Sequence, residues 1–290
     1  MKQRKGIILA GGLGSRLYPA TVSVSKQLLP IYDKPMIYYS ISVLMLAKIR
    51  EIAIITTPED QLQFKRLLGD GSQWGISLEY IVQPNPDGLA QAYLLAEHFL
   101  DSAPSALVLG DNLFFGHGLP ELLKSADEHL IGGTVFGYHV LDPERYGVVE
   151  FDEAGHIKAI VEKPQKAPSS YAITGIYFLD ETAPLRAKAI KPSVRGELEI
   201  TSLLSTYITD GELRLEIMGR GYAWFDTGTH NSLLDASNFV RVLTERQGLQ
   251  VGSPDEVAYR LKLTTKKQML LSAQAFEKSE YGRYLLTLVD

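Results

Sequence analysis

The 290-residue sequence contains no cysteine, no long apolar run and no excess of positive charge. Without cysteine the chain forms no disulfide and no thiolate metal site, and we expect a protein of the cytoplasm. A membrane-spanning helix needs about 18 consecutive apolar residues, and no run approaches this length, so we expect no membrane partner. The net charge of -5 gives no general basic field for nucleic acid. Any positive charge that binds phosphate must therefore be local.

The first half of the chain alternates strand-like and helix-like segments. The runs Gly6–Ala10, Ile52–Thr56 and Ala106–Leu109 are short and apolar, as in parallel strands that are covered on both faces. Between them, Pro35–Ile49 is apolar nearly all round, which predicts a buried helix. This order predicts an α/β fold built on a doubly wound, mostly parallel sheet with helices on both sides.

The remaining patterns divide the chain into two parts. Val148–Phe151 and Ile157–Glu162 flank a polar turn and predict a hairpin inserted in the sheet. Cap residues and glycines predict further helices. These are Pro58–Gly69, Gly88–Leu100, Thr229–Gly248 and a helix after Ser253. We therefore expect a main α/β domain over residues 1–228 and a mainly helical extension over residues 229–290.

A glycine-rich segment follows the first predicted strand. The glycines of Gly11–Gly14 let backbone N–H groups approach phosphate oxygens, and Arg16 and Lys26 supply positive charge. A dinucleotide fingerprint would need glycine where the chain has Leu17, and no Gly-Lys-Ser or Gly-Lys-Thr of a P-loop follows. The segment predicts a site for a nucleoside triphosphate, and the alternative is a plain strand-to-helix turn.

Two carboxylates stand at the ends of predicted strands. Asp111 follows Ala106–Leu109, and Asp226 ends the apolar stretch that begins at Tyr222. Ligands of open α/β sheets bind at the carboxyl ends of the strands, and Mg²⁺ takes one or two carboxylates together with phosphate oxygens and water. Both residues are therefore candidate metal ligands. The alternative is that each belongs to an ordinary turn.

Ordered motifs extend over most of the chain. They are Gly11–Leu17, Ser25–Pro30, Asp33–Tyr39, Val82–Ala92, Leu109–Asn112, Arg145–Glu150, Val161–Pro164, Ile173–Tyr177 and Trp224–Thr229. Together they resemble the sugar-phosphate nucleotidyltransferases, or sugar-nucleotide pyrophosphorylases, and most of all the members that use dTTP. The resemblance implies a Rossmann-like, GT-A-like nucleotidyltransferase fold with a mixed, mostly parallel sheet. Residues 1–228 would then be the catalytic domain with an inserted sugar-binding part.

The resemblance also implies a reaction. The phosphate of glucose 1-phosphate would attack the α-phosphorus of dTTP with Mg²⁺ bound, giving dTDP-glucose and pyrophosphate as a first step toward dTDP-deoxysugars of the L-rhamnose type. The second pKa of a phosphomonoester is about 6, so the nucleophile is already ionised and no general base is needed. The barrier lies mainly in charge repulsion and positioning.

The resemblance assigns roles to particular residues. Asp111 and Asp226 would hold the metal, and Arg16, Lys26 and Lys163 would be the catalytic cations: Arg16 for the departing pyrophosphate, Lys163 for the sugar phosphate. The nucleotide would be bound by Gly11, Gly12, Gly14, Ser15, Arg16, Gln27, Gln83, Gly88 and Asp111. The sugar phosphate would be bound by Asn112, Tyr146, Gly147, Glu162, Lys163, Thr174, Gly175 and Tyr177, although Tyr146 and Tyr177 could equally be core residues.

Nucleotide choice follows from Gln83, whose carboxamide can accept from N3–H of thymine or uracil and donate to O4. The two bases differ by a methyl group that is worth only about 1–3 kcal/mol, so a UTP-using uridylyltransferase stays open as an alternative. A non-catalytic nucleotide-sugar binding protein is disfavoured because Arg16, Lys26, Asp111 and Asp226 are all present. A nicotinamide oxidoreductase is disfavoured by Leu17.

Several positions depart from the family pattern. Ser202 and Leu204 stand where an Asp-x-Asn sequence is usual, Ser40 replaces a common proline, and Phe115 replaces a common tyrosine. These changes leave sugar range and regulation open. Family members of this length are typically homotetramers inhibited by an end product such as dTDP-L-rhamnose. The resemblance places Arg220 and Arg260 at that effector site, and it gives the extension over residues 229–290 the subunit contacts.

Overall fold

A computed structural model describes residues 2–289 and shows a mixed sheet with helices on both faces. The strands are β1 (Lys5–Ala10), β2 (Pro30–Ile31), β3 (Lys34–Pro35), β4 (Glu51–Thr56), β5 (Ser77–Val82), β6 (Ser105–Leu109), β7 (Asn112–Gly116), β8 (Gly133–His139), β9 (Gly147–Phe151), β10 (Ile157–Glu162), β11 (Tyr171–Leu179), β12 (Leu213–Met218) and β13 (Tyr222–Asp226).

The helices alternate with these strands and then continue alone to the end of the described chain. They are α1 (Met36–Leu46), α2 (Gln61–Leu68), α3 (Gln91–Leu95), α4 (Glu97–Leu100), α5 (Leu119–Glu128), α6 (Ala183–Ala189), α7 (Ile200–Thr209), α8 (His230–Gln247), α9 (Pro254–Arg260), α10 (Lys266–Ala275) and α11 (Glu280–Thr287). No helix within residues 2–289 is long and apolar enough to span a membrane.

The central sheet has the order β12-β8-β11-β6-β1-β4-β5. Strand β1 pairs in parallel with β4 and β6, β4 with β5, and β12 with β8, whereas β11 runs antiparallel to both of its neighbours. The predicted mostly parallel sheet is therefore confirmed. The reversed direction of β11 was not foreseen.

Alternate residues of β1 enter the two halves of the core. Ile8 and Ala10 pack with α1, α2 and α5 on one face, and Ile7 and Leu9 pack with α3, α6 and α7 on the other. Successive side chains of a strand point to opposite faces, so a continuous apolar run is what a doubly covered strand requires. Helix α1 is buried along almost its whole length, as its all-apolar sequence predicts.

The predicted hairpin forms, and its strands join the sheet through β11, the neighbour of β6. Strands β9 and β10 pair antiparallel, and β9 joins β11 at Ala172 opposite Val148. Strand β6 pairs with β11 only from Ile176 to Leu179. A gap in pairing therefore opens along β11 at the carboxyl end of β6, and this gap becomes the floor of the site.

Three local predictions are corrected by the structure. The Thr57 hydroxyl accepts from the Asp60 N–H at 3.2 Å, as a cap does, but Pro58–Asp60 form a turn and α2 begins only at Gln61 instead of Pro58. The segment Gly88–Leu100 forms two short helices that meet at Ala96, not one helix. Strand β13 does not enter the central sheet; it pairs with β7 in a separate two-stranded sheet.

The C-terminal extension is helical, as predicted, and packs against the main body. Thr229 caps α8 through a reciprocal bond with Ser232, and Gly248 ends it with φ 65°. Ala236 and Val240 of α8 share a buried cluster with Met36 and Leu113. The division of the chain at residue 228 stays a prediction. The first and last residues of the two predicted parts, Met1 and Asp290, lie outside the described residues.

Candidate active site

The glycine-rich loop leaves β1 at the carboxyl edge of the sheet. Gly14 adopts φ 63°, which favours glycine, and its carbonyl accepts from the Thr21 hydroxyl at 2.8 Å. Ser15–Leu17 then forms a 3₁₀ turn that leaves the Arg16 side chain exposed. The loop therefore has a defined conformation that exposes backbone groups and the Arg16 guanidinium. It is more than a simple connection between two elements.

Gly11 has a steric requirement of its own. A Cβ atom at Gly11 would lie 2.1 Å from Oε1 of Gln83, closer than nonbonded atoms approach. Gln83 is buried, so its amide is lodged directly over the loop backbone. The first glycine of the motif thus makes room for the residue that is predicted to bind the base.

The two predicted carboxylates are brought together by the pairing of β7 with β13. Asp226 lies opposite Asn112, the neighbour of Asp111. Thr227 reinforces this pairing, because its hydroxyl donates to the Asp111 carbonyl at 2.7 Å. Asp226 thus reaches the edge of the central sheet from a separate small sheet.

Positive groups surround this carboxylate pair unevenly. Nζ of the buried Lys26 lies 2.5 Å from Oδ2 of Asp111, and the Asn112 amide donates to Oδ1 at 2.8 Å. Burial opposes ionisation of Asp111, but Lys26 and Asn112 outweigh it and lower the pKa of this carboxyl. Burial and the neighbouring Asp111 charge raise the pKa of Asp226, despite opposing contributions from Lys26 and Arg16.

This donor set fits Mg²⁺. Among residues 2–289 no cluster of three or more His, Cys, Asp or Glu side chains forms a complete protein cage for a metal. A pair of carboxylates that leaves other positions to phosphate and water is the usual magnesium arrangement. A divalent cation between Asp111 and Asp226 would also relieve the repulsion that raises the pKa of Asp226.

A cavity of about 520 Å³ opens beside these residues. Most of the predicted site residues line it. These are Gly12, Arg16, Gln27, Gln83, Gly88, Asp111, Asn112, Tyr146, Gly147, Glu162, Lys163, Gly175, Tyr177 and Asp226. Residues from eight separated motifs therefore converge on one volume.

Five predicted residues, four near the loop and one on strand β11, are not part of the lining. Gly11, Gly14 and Ser15 act through the loop backbone or its shape, and Lys26 is turned toward Asp111. Thr174 is also absent from the lining. It is 1% exposed, whereas its neighbours Ile173 and Gly175 face the cavity. The structure therefore leaves only its backbone near the site.

The end of the cavity that is predicted to bind the sugar is formed by the β9–β10 hairpin and its exit. Lys163 adopts φ 41°, and its N–H donates to the Tyr146 carbonyl at 2.9 Å. Its ammonium is half-exposed and lies 3.5 Å from Glu162. Burial raises the pKa of Tyr177, which lies at the cavity wall. A half-exposed cation whose neighbour in the structure is Glu162 thus faces the space in which an anion would bind.

The Asn112 side chain is already engaged on both sides. It donates to Asp111, and its oxygen accepts from the Trp224 indole N–H at 2.6 Å. A Cβ at Gly175 would lie 2.5 Å from this oxygen. In the structure Asn112 orients a carboxylate, and the predicted contact with sugar stays a prediction.

The structure adds charged and aromatic residues that motif reasoning left without a role. Arg145 and Arg195 line the cavity, as does Trp224, whose ring lies 5.0 Å from that of Tyr146. Arg195 pairs with Glu199 at 2.9 Å and Glu162 at 3.4 Å. Arg145 and Trp224 stand inside the quoted motifs, so cavity-facing roles could have been suspected there; Arg195 stands in none.

The departures from the family pattern have visible neighbours. Leu204 lines the cavity, so an apolar side chain occupies the wall at that point. Ser40 donates from inside α1 to the Leu109 carbonyl at 3.1 Å, a bond that proline could not make. Phe115 packs edge-on against Phe239 at 5.5 Å. The predicted effector residues Arg220 and Arg260 are exposed and lie outside the cavity, and Arg260 pairs with Glu256 at 2.6 Å.

Fold and site together are those of an enzyme that transfers a nucleotidyl group. The family model described as nucleotidyl transferase matches residues 5–242, and the chain belongs to that family. This confirms the fold, the enzyme class and the resemblance inferred from the motifs.

The names of full-length relatives are more specific than the description of the family. The chain is similar to proteins named glucose-1-phosphate thymidylyltransferase from Xanthomonas campestris pv. campestris strain B100, at 58% identity over 288 residues, covering 99% of this chain and 98% of the relative. It is 55% identical to the Neisseria gonorrhoeae protein of that name over 285 residues (98% and 99%). It is 50% identical to the protein of that name from Mycobacterium tuberculosis H37Rv over 286 residues (99% and 99%).

Solved structures give the same family. A Bacillus anthracis protein assigned as a glucose-1-phosphate thymidylyltransferase, crystallised with sucrose, matches with a TM-score of 0.76 and 41% identity over 82% of this chain and 95% of that one. A UDP-glucose pyrophosphorylase with bound UDP-glucose matches with a TM-score of 0.71 and 27% identity over 84% of this chain and 100% of that one.

Proposed function

We propose that the protein transfers the thymidylyl group of dTTP to α-D-glucose 1-phosphate and releases pyrophosphate and dTDP-glucose. The observation that carries this proposal is the cluster of Lys26, Asp111 and Asp226 at the loop after β1, with Lys163 in the same cavity. The full-length relatives, which share the thymidylyltransferase name at 50–58% identity, support the choice of substrates.

The chemistry needs positioning more than proton transfer. A sugar phosphate is largely ionised at neutral pH because its second pKa is about 6. Its oxygen attacks the α-phosphorus, and the bond to the bridging oxygen of pyrophosphate breaks on the opposite side. Both reactants are anions, so the protein must bring negative groups together and neutralise the charge that leaves.

The cations divide these tasks by location. Lys163 at the hairpin exit holds the incoming phosphate. Arg16 on the glycine-rich loop faces the leaving pyrophosphate, where its planar fork can bind two oxygens. It lies near the metal site, since a Cβ at Gly228 would be 3.4 Å from its Nη1 and 3.2 Å from Asp226 Oδ1. Lys26 exchanges or shares its bond to Asp111 when the triphosphate enters.

Asp111 and Asp226 hold Mg²⁺ in this proposal. The ion supplies charge neutralisation at the phosphoryl oxygens. The protein sets the two carboxylates in place through the Thr227 bond to Asp111 and through the β7–β13 pairing. Asn112 fixes the rotation of the Asp111 carboxylate from the side.

Uridylyl transfer is the second candidate. The matched UDP-glucose pyrophosphorylase has the same fold and carries UDP-glucose, and Gln83 would read thymine and uracil alike. Apolar Pro86 and Leu89 flank Gly88 in the cavity wall and suit a base methyl group. Such a contact gives about 1–3 kcal/mol, so dTTP is preferred while UTP is also used.

The test is pyrophosphate release from purified protein with Mg²⁺ and glucose 1-phosphate, comparing dTTP, UTP, CTP and ATP. The proposal expects release with dTTP, weaker release with UTP and background with the other two. Release that is stronger with UTP would make the protein a uridylyltransferase. Background with all four would refute nucleotidyl transfer to this sugar phosphate.

Regulation and assembly are further parts of the proposal. A dTDP-L-rhamnose-like inhibitor would bind near Arg220 and Arg260, away from the cavity, within a homotetramer whose contacts involve residues 229–290. The support is the resemblance of the motifs and the exposed position of both arginines. Placement in the cytoplasm rests on the cysteine-free composition.

A further inference from the structure

Three side chains form a hydrogen-bonded chain that includes Gln83, the residue predicted to bind the base. Nε2 of Gln83 donates to Oε1 of Gln91 at 2.6 Å, and Nε2 of Gln91 donates to Oδ2 of Asp87 at 2.8 Å. Gln83 is 4% exposed, Gln91 is half-buried and Asp87 is exposed. The chain therefore leads from solvent to the wall of the cavity.

The direction of every bond in this chain is set at its outer end. An ionised carboxylate only accepts hydrogen bonds, whereas a carboxamide has one accepting and one donating end. Asp87 must therefore receive the N–H end of Gln91, which turns the Gln91 oxygen toward Gln83. Gln83 can meet that oxygen only with its own N–H, so its oxygen faces the glycine-rich loop, over Gly11.

The outer end is itself fixed by backbone contacts. The Leu198 N–H donates to the Asp87 carbonyl at 2.7 Å, and the Ala90 N–H donates to the Leu198 carbonyl at 3.0 Å. Gly88, between them, has φ 109°, and a Cβ there would lie 2.4 Å from the Leu198 carbonyl. The loop is thus clamped on both sides of Gly88, so Asp87 is held in place although its side chain is in solvent.

The consequence concerns the choice of base. Thymine and uracil present an N3–H donor beside the O4 acceptor, whereas cytosine presents an N3 acceptor beside an amino donor. A Gln83 amide with its oxygen fixed as the acceptor and one N–H left over matches the first pattern. A freely rotating amide could turn over and match either pattern.

We infer that Asp87 and Gln91 are positioning residues that lock the Gln83 amide in the orientation that accepts thymine or uracil and rejects cytosine. This inference rests on the proposed function, because it takes the cavity to bind a nucleoside triphosphate with its base at Gln83. It assigns specificity to two residues that do not themselves line the cavity.

The test compares Asp87→Asn and Gln91→Leu with the wild type. Asparagine keeps the size of Asp87 but can accept or donate, so the direction of the chain is lost. Leucine removes the bonding partner of Gln83. For each protein, kcat/KM is measured for dTTP and for dCTP with saturating glucose 1-phosphate, together with the KM for glucose 1-phosphate. Asn85→Ala, an exposed change in the same loop, is the matched control.

The expected result is at least a tenfold fall in the dTTP-to-dCTP ratio of kcat/KM in both variants, carried mainly by KM, with the KM for glucose 1-phosphate unchanged. The control should keep the wild-type ratio. A ratio within twofold of wild type in Asp87→Asn, which is exposed and should fold, overturns the inference while the proposed function stands. A wild-type protein that uses neither nucleotide overturns the proposed function and the inference with it.

Discussion

At the scale of single residues, the site holds two carboxylates close together, although their charges repel each other. Asp111 and Asp226 are held together by backbone and side-chain bonds, although the second carboxyl is disfavoured as an anion by burial and by the first. Lys26 neutralises Asp111 from within the protein. Such an arrangement lowers stability locally and leaves a place that a bound cation would stabilise.

Replacing Asp226 by Asn should therefore separate stability from activity. Because the raised pKa of Asp226 means that ionisation costs folding free energy, the metal-free variant should be at least as stable as wild type at pH 7. The difference should vanish below pH 3.8, the ordinary value, where both forms are uncharged. Activity with Mg²⁺ should fall about 100-fold or more, since charge neutralisation by a metal is worth several kcal/mol.

Thermal unfolding across pH and steady-state rates measure both effects. A variant with wild-type activity would remove Asp226 from the metal site. A variant that is clearly less stable at neutral pH would show that the carboxylate contributes favourably to the fold.

Lys163 gives a second test at this scale. Its ammonium is half-exposed and is poised for an anion, so Lys163→Ala should raise the KM for glucose 1-phosphate roughly 10- to 100-fold, as expected for loss of one charged hydrogen bond. The KM for dTTP should change little. Lys158→Ala is the control, because Lys158 lies on β10, the strand that Lys163 directly follows, and pairs with Glu150 in solvent. Equal effects of the two changes would contradict the assignment.

At the scale of elements, the site depends on where strands stop. Strand β6 ends early against β11, β9 joins β11 further along, and Gly175 lies where the two partners leave a gap. The glycine-rich loop closes the same space from β1. Substitutions in these short backbone segments should therefore change binding more than stability.

Gly11→Ala tests this directly. The new methyl group would meet the tip of Gln83, which can move aside only by giving up its bond to Gln91, so unfolding free energy should fall by about 1 kcal/mol. Because Gln83, which is predicted to bind the base, is displaced, the KM for dTTP should rise about tenfold, as for a lost polar contact. Gly219→Ala is the matched change, since a Cβ there meets nothing within 4 Å. A loss of stability without a change in KM would place the role of Gly11 in folding alone.

The predictable elements are those with a local physical cause. Strands β1, β4 and β6 follow from doubly buried apolar runs, and α8 follows from its Thr229 and Gly248 caps. The placement of β13 depends on β7, a partner distant in sequence that no local pattern contains, and no residue pattern marks the break at Ala96. Likewise, motifs identified most of the cavity lining, but Arg195 enters only through tertiary packing with Glu162 and Glu199.

At the scale of the whole molecule, buried polar contacts link the C-terminal helices to one another and to the main body. The Tyr281 hydroxyl bonds Ser253 at 2.7 Å and Asp255 at 2.8 Å. Lys34, which is buried beside Asp33, lies 5.0 Å from the Tyr39 ring and 5.7 Å from the Tyr281 ring. Residues near the end of the chain thus contact the segment that leads into α1.

Tyr281→Phe should weaken the link between α11 and the start of α9 without touching the site, while the ring stays beside Lys34. The buried Asp255 carboxylate loses a partner, which costs about 1–3 kcal/mol of unfolding free energy. Urea unfolding measures the loss, and kcat should stay within twofold of wild type. Tyr259→Phe removes a comparable hydroxyl that makes no hydrogen bond in the described part of the chain, and it should be neutral. Equal stabilities of the two variants would argue against the connection.

The central claim is that the cavity joins a nucleoside monophosphate to a sugar phosphate. The most direct measurement is ³¹P NMR of the purified protein with dTTP, glucose 1-phosphate and Mg²⁺. The account predicts that both substrates disappear together while pyrophosphate and an unsymmetrical diphosphate, dTDP-glucose, form in equal amounts. Unchanged glucose 1-phosphate, with dTTP either intact or hydrolysed to dTDP and phosphate, would contradict it.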